Sequence, residues 1–383
     1  MFKEIATNED LIELVQECCS ADRYALDTEF HRESTYYPQL ALLQIACNEQ
    51  TYLIDPLEAD ISLLGPLMRS ESLCVMHAGA QDLEILAHVT GDVPAKFADT
   101  QVYAGFLGMS SPSLAALHQK YLGMELAKSS RLTDWLKRPL TDAQKSYAAS
   151  DVDNLLELFD LMHEQLEAKQ RTSWAQEESD NLRDRYASGT HKKDPITRIS
   201  EARRLKGRSR YLASLLANWR EDTAAKRDVP IRRVMGDLAI ASIAQKAPES
   251  RQGLSGIRGV DVGQLGKESC ATILALVEES KGEIPEEITA ARSNKQLDPN
   301  LKGAVALIST VLTQIARNED LDPTLLSTRS DLEAFIGAQG DSRLSTGWRY
   351  EMAGEPIKQL LEGSMSVAFE PDSGLTLEAR NLP

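Results

Sequence analysis

The chain has 383 residues, 42% of them hydrophobic and 26% charged, with a formal net charge of −16. That length spans two or three domains, and that composition is ordinary for a water-soluble protein. No apolar run approaches the roughly 20 residues of a membrane span, and the five cysteines and six histidines lack the paired spacings of a zinc site or a disulfide framework.

The opening stretch MFKEIATNEDLIELVQECC is acidic and amphipathic, unlike a secretory signal, and reads as the first helix of a cytoplasmic protein. Four short β-rich runs follow: RYALDTEF (23–30), LALLQIAC (40–47), TYLIDP (51–56) and SLCVMHAG (72–79). The last leads directly into a helical pattern, AQDLEILAHV (80–89). Asp99 and Ser113 are suited to cap two further helices, each closed by glycine. From Thr141, where TDAQ has capping-box spacing, one long helix is expected through SYAASDVDNLLELFDLMHEQLEAKQ and beyond. Strands followed by helices against a mixed sheet describe an α/β domain, expected over 1–195.

Past residue 195 helical periodicity takes over. DVPIRRVMGDLAIASIA (228–244) and DPTLLSTRSDLEAFIG (322–337) look like weak copies, each with a proline before a short helix and then an Asp-Leu pair opening the next. Two all-α modules are therefore expected, at 196–288 and 289–368, with a tail at 369–383 and a polar linker around EEITAARSNKQLDP. GIRGV (256–260) reads as a Gly-framed turn in the first. Charge is segregated along the chain. Residues 1–165 carry 11 basic against 26 acidic side chains, whereas 192–233 carry 13 against 5. The basic stretch around Arg203, Arg204, Lys206, Arg208 and Arg210 is a candidate phosphate-facing track, or else a solvated helical face.

Acids mark the candidate chemistry. Asp27 and Glu29 lie two apart on a strand and share one face. Asp82 opens the helix after the fourth strand, and Asp151 follows Tyr147 by four residues on the long helix, again on one face. Singly, each has an ordinary explanation: strand acids paired with Arg32 or Arg131, a helix-dipole acid at 82, a solvated helix acid at 151. Together they do not. At an effective dielectric of about 20 each pair some 5 Å apart repels by roughly 3 kcal/mol, and six pairs approach ~20 kcal/mol, more than a domain's net stability. Convergent carboxylates require cations, and an oxygen-only donor set suits Mg²⁺ or Mn²⁺.

LDTEF, HAGAQDLEIL and YAASDVDNLL together resemble the three motifs of the DEDD 3′→5′ exonucleases, in the branch with tyrosine four residues before the last acid. TYYPQLALLQIA, RLTDWLKRPLT and GWRYEMAG narrow the resemblance to ribonuclease D, and the helical modules resemble HRDC domains. The resemblance implies a ribonuclease H-like mixed sheet with flanking helices and two divalent ions. Asp27, Glu29 and Asp151 would hold one directly, Asp27 would also touch the other, and Asp82 would hold that one directly or through water, with Tyr147 orienting the attacking water. It implies hydrolysis of single-stranded RNA 3′ ends to nucleoside 5′-monophosphates, with tRNA precursors as substrates; a monomer that does not cross a membrane is the default expectation, since the sequence carries no clear oligomerisation signal and no long apolar run. Thr28, Phe30, His77, Arg131, Arg138, Arg204 and Arg208 are the substrate-contact candidates. The competing functions are a single-stranded DNA exonuclease on the same scaffold, a non-catalytic RNA-binding protein, and a metal-dependent phosphatase acting on small nucleotides.

Overall fold

A computed structural model describes residues 2–126, 133–190, 194–285, 298–337 and 342–380. The N-terminal domain is a six-stranded mixed sheet in the order β1-β4-β3-β2-β5-β6: β1 (Phe2–Ile5), β2 (Arg23–His31), β3 (Gln39–Cys47), β4 (Gln50–Ile54), β5 (Leu73–Met76) and β6 (Lys96–Asp99). β2 runs antiparallel to β3 and parallel to β5. The four anticipated strands are present. Two more escape the sequence pattern because each has only four residues and no clear alternation, β1 and β6. Residues read as the start of the first helix are therefore β1. The helix α1 (Asn8–Ser20) begins only after Thr7, whose hydroxyl accepts from the Asp10 amide.

Alternation along β2 builds two cores. Tyr24 and Leu26 point into a layer with Leu11 and Leu14 of α1 and with Leu83 and Leu86 of α3 (Ala80–Thr90). Ala25 faces the opposite layer, with Ala46, Val75 and Ala98. Short helices α2 (Gly65–Met68), α4 (Thr100–Gly105) and α5 (Leu114–Leu117) fill the connections, the last two capped by Asp99 and Ser113 as the sequence implies.

The long helix is three. α6 (Asp142–Val152) starts at the Thr141–Gln144 capping box, α7 (Leu155–Ala168) follows, and α8 (Thr172–Ala187) comes next. Asp153 and Asn154, poor helix formers, mark the first break, and Gln170 at φ 57° reverses the chain at the second.

The first helical module has a core of its own, formed by α9 (Gly207–Arg227), α10 (Ile231–Val234), α11 (Asp237–Lys246), α12 (Arg251–Ser255) and α13 (Val262–Glu279). GIRGV is the turn between α12 and α13, with Gly259 at φ 85°. The module meets the sheet domain through polar contacts: Asp228 accepts from the Tyr36 and Tyr37 amides at 3.0 and 3.1 Å, and the Tyr36 hydroxyl donates to Glu221 at 2.7 Å. The second set of helices behaves differently. Val305, Ile308 and Leu312 of the helix Lys302–Asn318, together with Trp348 and Ile357, belong to the same core as Ala25, Phe106 and Phe159. The Trp348 ring lies 5.2 Å from Phe106 and 5.3 Å from Trp174.

Strand signal returns at the end, against expectation. Met365–Glu370 and Gly374–Ala379 form an antiparallel hairpin turning at Gly374 (φ 81°), so the expected boundary at 368 falls inside a strand. Their alternating runs are short and flank PDSG, a turn signal on which sequence reading placed no weight. Of the polar linker, residues 286–297 lie outside the described residues. Among the described residues no helix is long and apolar enough to cross a membrane.

Candidate active site

β2 and α6 bring three acids together. Asp27, Glu29 and Asp151 each offer a carboxylate oxygen, and these atoms lie within 4.8 Å of one another. The closeness has a packing cause. Ala148 and Ala149 of α6 sit against Ala41, Leu42 and Leu53 of the sheet and against Trp135, and their small side chains let the helix approach closely. The capping box fixes where α6 starts, and thereby which residue arrives over Asp27. Tyr147, one turn before Asp151, is half-buried with its ring 6.1 Å from that of Trp135.

Asp82, in the first turn of α3, is buried and its charge acts on Asp27, but its carboxylate is not one of the three whose oxygens lie within 4.8 Å of one another. β2 and β5 are paired only from Arg23–Leu73 to Ala25–Val75, so beyond Ala25 the edge of β2 is open to the N-terminus of α3. Thr28 points to the opposite face from Asp27, and its hydroxyl donates a hydrogen bond to Asp82. Burial raises the Asp27 carboxyl well above the ordinary range, and the charges of Asp82, Asp151 and Glu29 push it further. Asp82 is raised to about 6, chiefly by burial, with the Thr28 hydroxyl opposing the shift.

The start of α3 is itself held in place. Asp99, which sequence reading treats only as a helix cap, also accepts from the Ala78 and Gly79 amides at 3.0 and 2.9 Å, in a turn where Ala78 adopts φ 57°. That turn aims Asp82. A buried acid two residues from a helix start hints at such a clamp, but its long-range partners are invisible in sequence.

Several expected substrate contacts are otherwise employed. Thr28 is buried with its hydroxyl given to Asp82 instead of a nucleotide. Arg138, expected on a phosphate, binds both Asp55 oxygens at 2.5 and 2.7 Å and the carbonyls of Trp135 and Ala41 at 2.7 Å, pinning the approach to α6 onto the sheet. His77 pairs through Nδ1 with the Thr100 hydroxyl at 2.9 Å, and the Pro112 carbonyl faces it as well. Burial lowers its pKa, so it stays neutral in the fold. Phe30 is half-buried against the α1 and α3 layer, with the Arg32 guanidinium 6.0 Å from its ring centre. Arg32 itself pairs with Glu84, not with the strand acids. Arg204 is exposed; Arg208 donates at 3.3 Å to Ser280 at the end of α13. Arg131 lies outside the described residues.

The donor set fits hard divalent cations: carboxylate oxygens only, close enough together that their charges help raise the Asp27 carboxyl. Beside them the Gln44 amide is fully buried with neither polar atom hydrogen-bonded.

Comparison with known proteins matches two segments of the chain, with one HRDC domain where the sequence suggests two. A 3′-5′ exonuclease family model matches residues 2–167 and an HRDC domain model matches 210–277. The chain is 32% identical to ribonuclease D of Zymomonas mobilis, covering 96% of this chain and 95% of that protein, and 32% identical to ribonuclease D of Escherichia coli, covering 94% and 98%. The crystal structure of Escherichia coli RNase D, described as an exoribonuclease involved in structured RNA processing, superposes with a TM-score of 0.81 at 31% identity over 95% of this chain and 99% of that one.

Proposed function

The chain belongs to the ribonuclease D family of 3′→5′ exoribonucleases, and on that premise we propose that Asp27, Glu29, Asp82 and Asp151 hold two divalent cations that cleave single-stranded RNA 3′ ends one nucleotide at a time. The observation that carries this reading is the convergence of carboxylate oxygens from β2 and α6 within 4.8 Å. Bound Mg²⁺ or Mn²⁺ offsets the acids' mutual repulsion, activates water and stabilises the leaving oxygen. Asp27, Glu29 and Asp151 would hold one cation, and Asp27 with Asp82, directly or through water, the other. Thr28 fixes the Asp82 carboxylate through its hydrogen bond, and Asp99 fixes the turn beneath it.

Tyr147 orients the attacking water by hydrogen bonding, since a phenol with a pKa near 10 is a poor base at neutral pH. Attack breaks the bond between phosphorus and the 3′ oxygen of the penultimate nucleotide. That oxygen takes up a proton, and a nucleoside 5′-monophosphate leaves. A phosphate inside a duplex cannot reach half-buried carboxylates, which favours a single-stranded end.

The described helices from Lys302 to Leu361 supply a second HRDC-like module: Pro323 opens a short helix and Thr328 caps the next, as Pro230 and Gly236 do in the first. Exposed Arg203, Arg204 and Lys206 extend the footprint along the phosphates. The substrate proposed is the 3′-extended precursor of tRNA, and the enzyme acts as a monomer.

Digestion of a 3′-extended tRNA precursor, with and without EDTA, tests the proposal. Nucleoside 5′-monophosphates released only with divalent metal, and only by protein with Asp151 intact, are expected. Products carrying 3′ phosphates, or an Asp151→Asn protein of full activity, would overturn it; single-stranded DNA in parallel reads sugar preference.

A further inference from the structure

Gln44 lies in the middle of β3, directly across from Asp27 in the antiparallel β2–β3 ladder. Paired residues share a face, so the amide projects on the side of the sheet that carries Asp27 and Glu29. It is 0% exposed, and neither Oε1 nor Nε2 has a hydrogen-bond partner. Its ladder neighbours are otherwise apolar in that layer: Leu53 pairs with it on the other side, and Leu42 precedes it by two. A leucine or methionine would fill the space without leaving a donor and an acceptor unmatched, which is the costly state for a buried amide.

We infer that Gln44 is a positioning residue of the carboxylate centre. Its amide N–H donates to one oxygen of Asp27 when the other is turned toward Glu29 and Asp151 to share a cation. An antiparallel partner places the two Cβ atoms about 5 Å apart, within reach of a glutamine side chain, and a neutral donor stabilises the ionised Asp27 without adding a charge to the cluster. The inference rests on the reading of the acids as a cation site, and the test separates the two.

The experiment is titration of the full-length, metal-stripped protein with Mn²⁺ alone, following free Mn²⁺ by electron paramagnetic resonance, for wild type, Gln44→Met and Leu53→Met. Gln44→Met keeps the length and apolar bulk while removing the donor. It is expected to weaken Mn²⁺ binding about 10-fold or more, the usual effect of losing an outer hydrogen bond to a metal ligand. Its kcat should fall and its KM for RNA should stay near wild type. Leu53→Met disturbs the same layer and is expected to bind Mn²⁺ as wild type does.

Equal Mn²⁺ affinity in Gln44→Met and wild type would overturn the inference, as would an equal loss in both variants, which would mark Gln44 as packing. Absence of Mn²⁺ binding by the wild type would overturn the cation-site reading itself. If Gln44→Met does not fold, Gln44→Asn keeps an amide but withdraws it by one methylene, and an unweakened affinity there is equally decisive against the proposal.

Discussion

Thr28 gives its hydroxyl hydrogen to Asp82 across the open edge of β2, tying the strand that carries two of the acids to the helix that carries another. The bond is buried and its acceptor is ionisable, so its loss is expensive. Thr28→Val should cost about 1–2 kcal/mol in chemical denaturation at neutral pH. It should also move the acid limb of the activity profile to higher pH, since the hydroxyl is what holds the Asp82 pKa down.

The raised carboxyls set the sign of the pH dependence. Asp82 titrates at about 6 in the fold against an ordinary 3.8, and Asp27 shifts the same way. Between those values the unfolded chain ionises while the folded one keeps its proton, so this contribution to stability is complete at low pH and is lost as pH rises from about 4 to 6. For Asp82 the loss is on the order of 3 kcal/mol. Metal-free wild type compared with Asp82→Asn across that window should lose stability relative to the variant; parallel curves would disprove the assignment. Mg²⁺ should stabilise wild type more at pH 7.5 than at pH 5, because it binds the ionised acids.

Asp151→Asn separates stability from activity. Asparagine keeps the shape of the side chain and removes its charge from a set within 4.8 Å, so the stabilisation that Mg²⁺ gives the wild type should shrink in the variant. Its exonuclease rate in Mg²⁺ should fall by more than about 10²-fold, beyond what loss of an outer partner to a metal ligand produces. Melting curves and single-turnover digestion read the two effects independently.

The basic track predicts a salt signature. Arg204 is exposed at the entry to the first helical module. Arg204→Glu should weaken RNA binding, and it should shallow the slope of log affinity against log salt by about 1 or more. The turnover of a saturating short substrate should stay near wild type. An unchanged slope would remove this residue from the RNA path.

The convergent acids were legible because each sits on a periodic element: strand alternation puts Asp27 with Glu29, and helical spacing puts Tyr147 with Asp151. What escaped was long-range. Arg138 looked like a phosphate ligand because its carboxylate, Asp55, is distant in sequence and adjacent only once β4 is in the sheet. Gln44 carries no signal in the sequence, because only the β2–β3 ladder sets it opposite Asp27. The helix breaks near Asn154 and Gln170 escaped because no proline or glycine marks them: Asp153 and Asn154 are only weak helix formers, and Gln170 takes its left-handed φ of 57° without a glycine.

Trp348 wedges between Phe106 and Trp174, so the helices near the C-terminus complete the sheet domain's interior. A shortened protein ending after the HRDC-matched segment would uncover those rings and the aliphatic surface around them. Such a fragment is expected to clump during purification, and any loss of activity in it would say nothing about RNA contacts made by the missing helices. Their contribution to substrate binding must be sought with surface substitutions that leave the buried tryptophan in place.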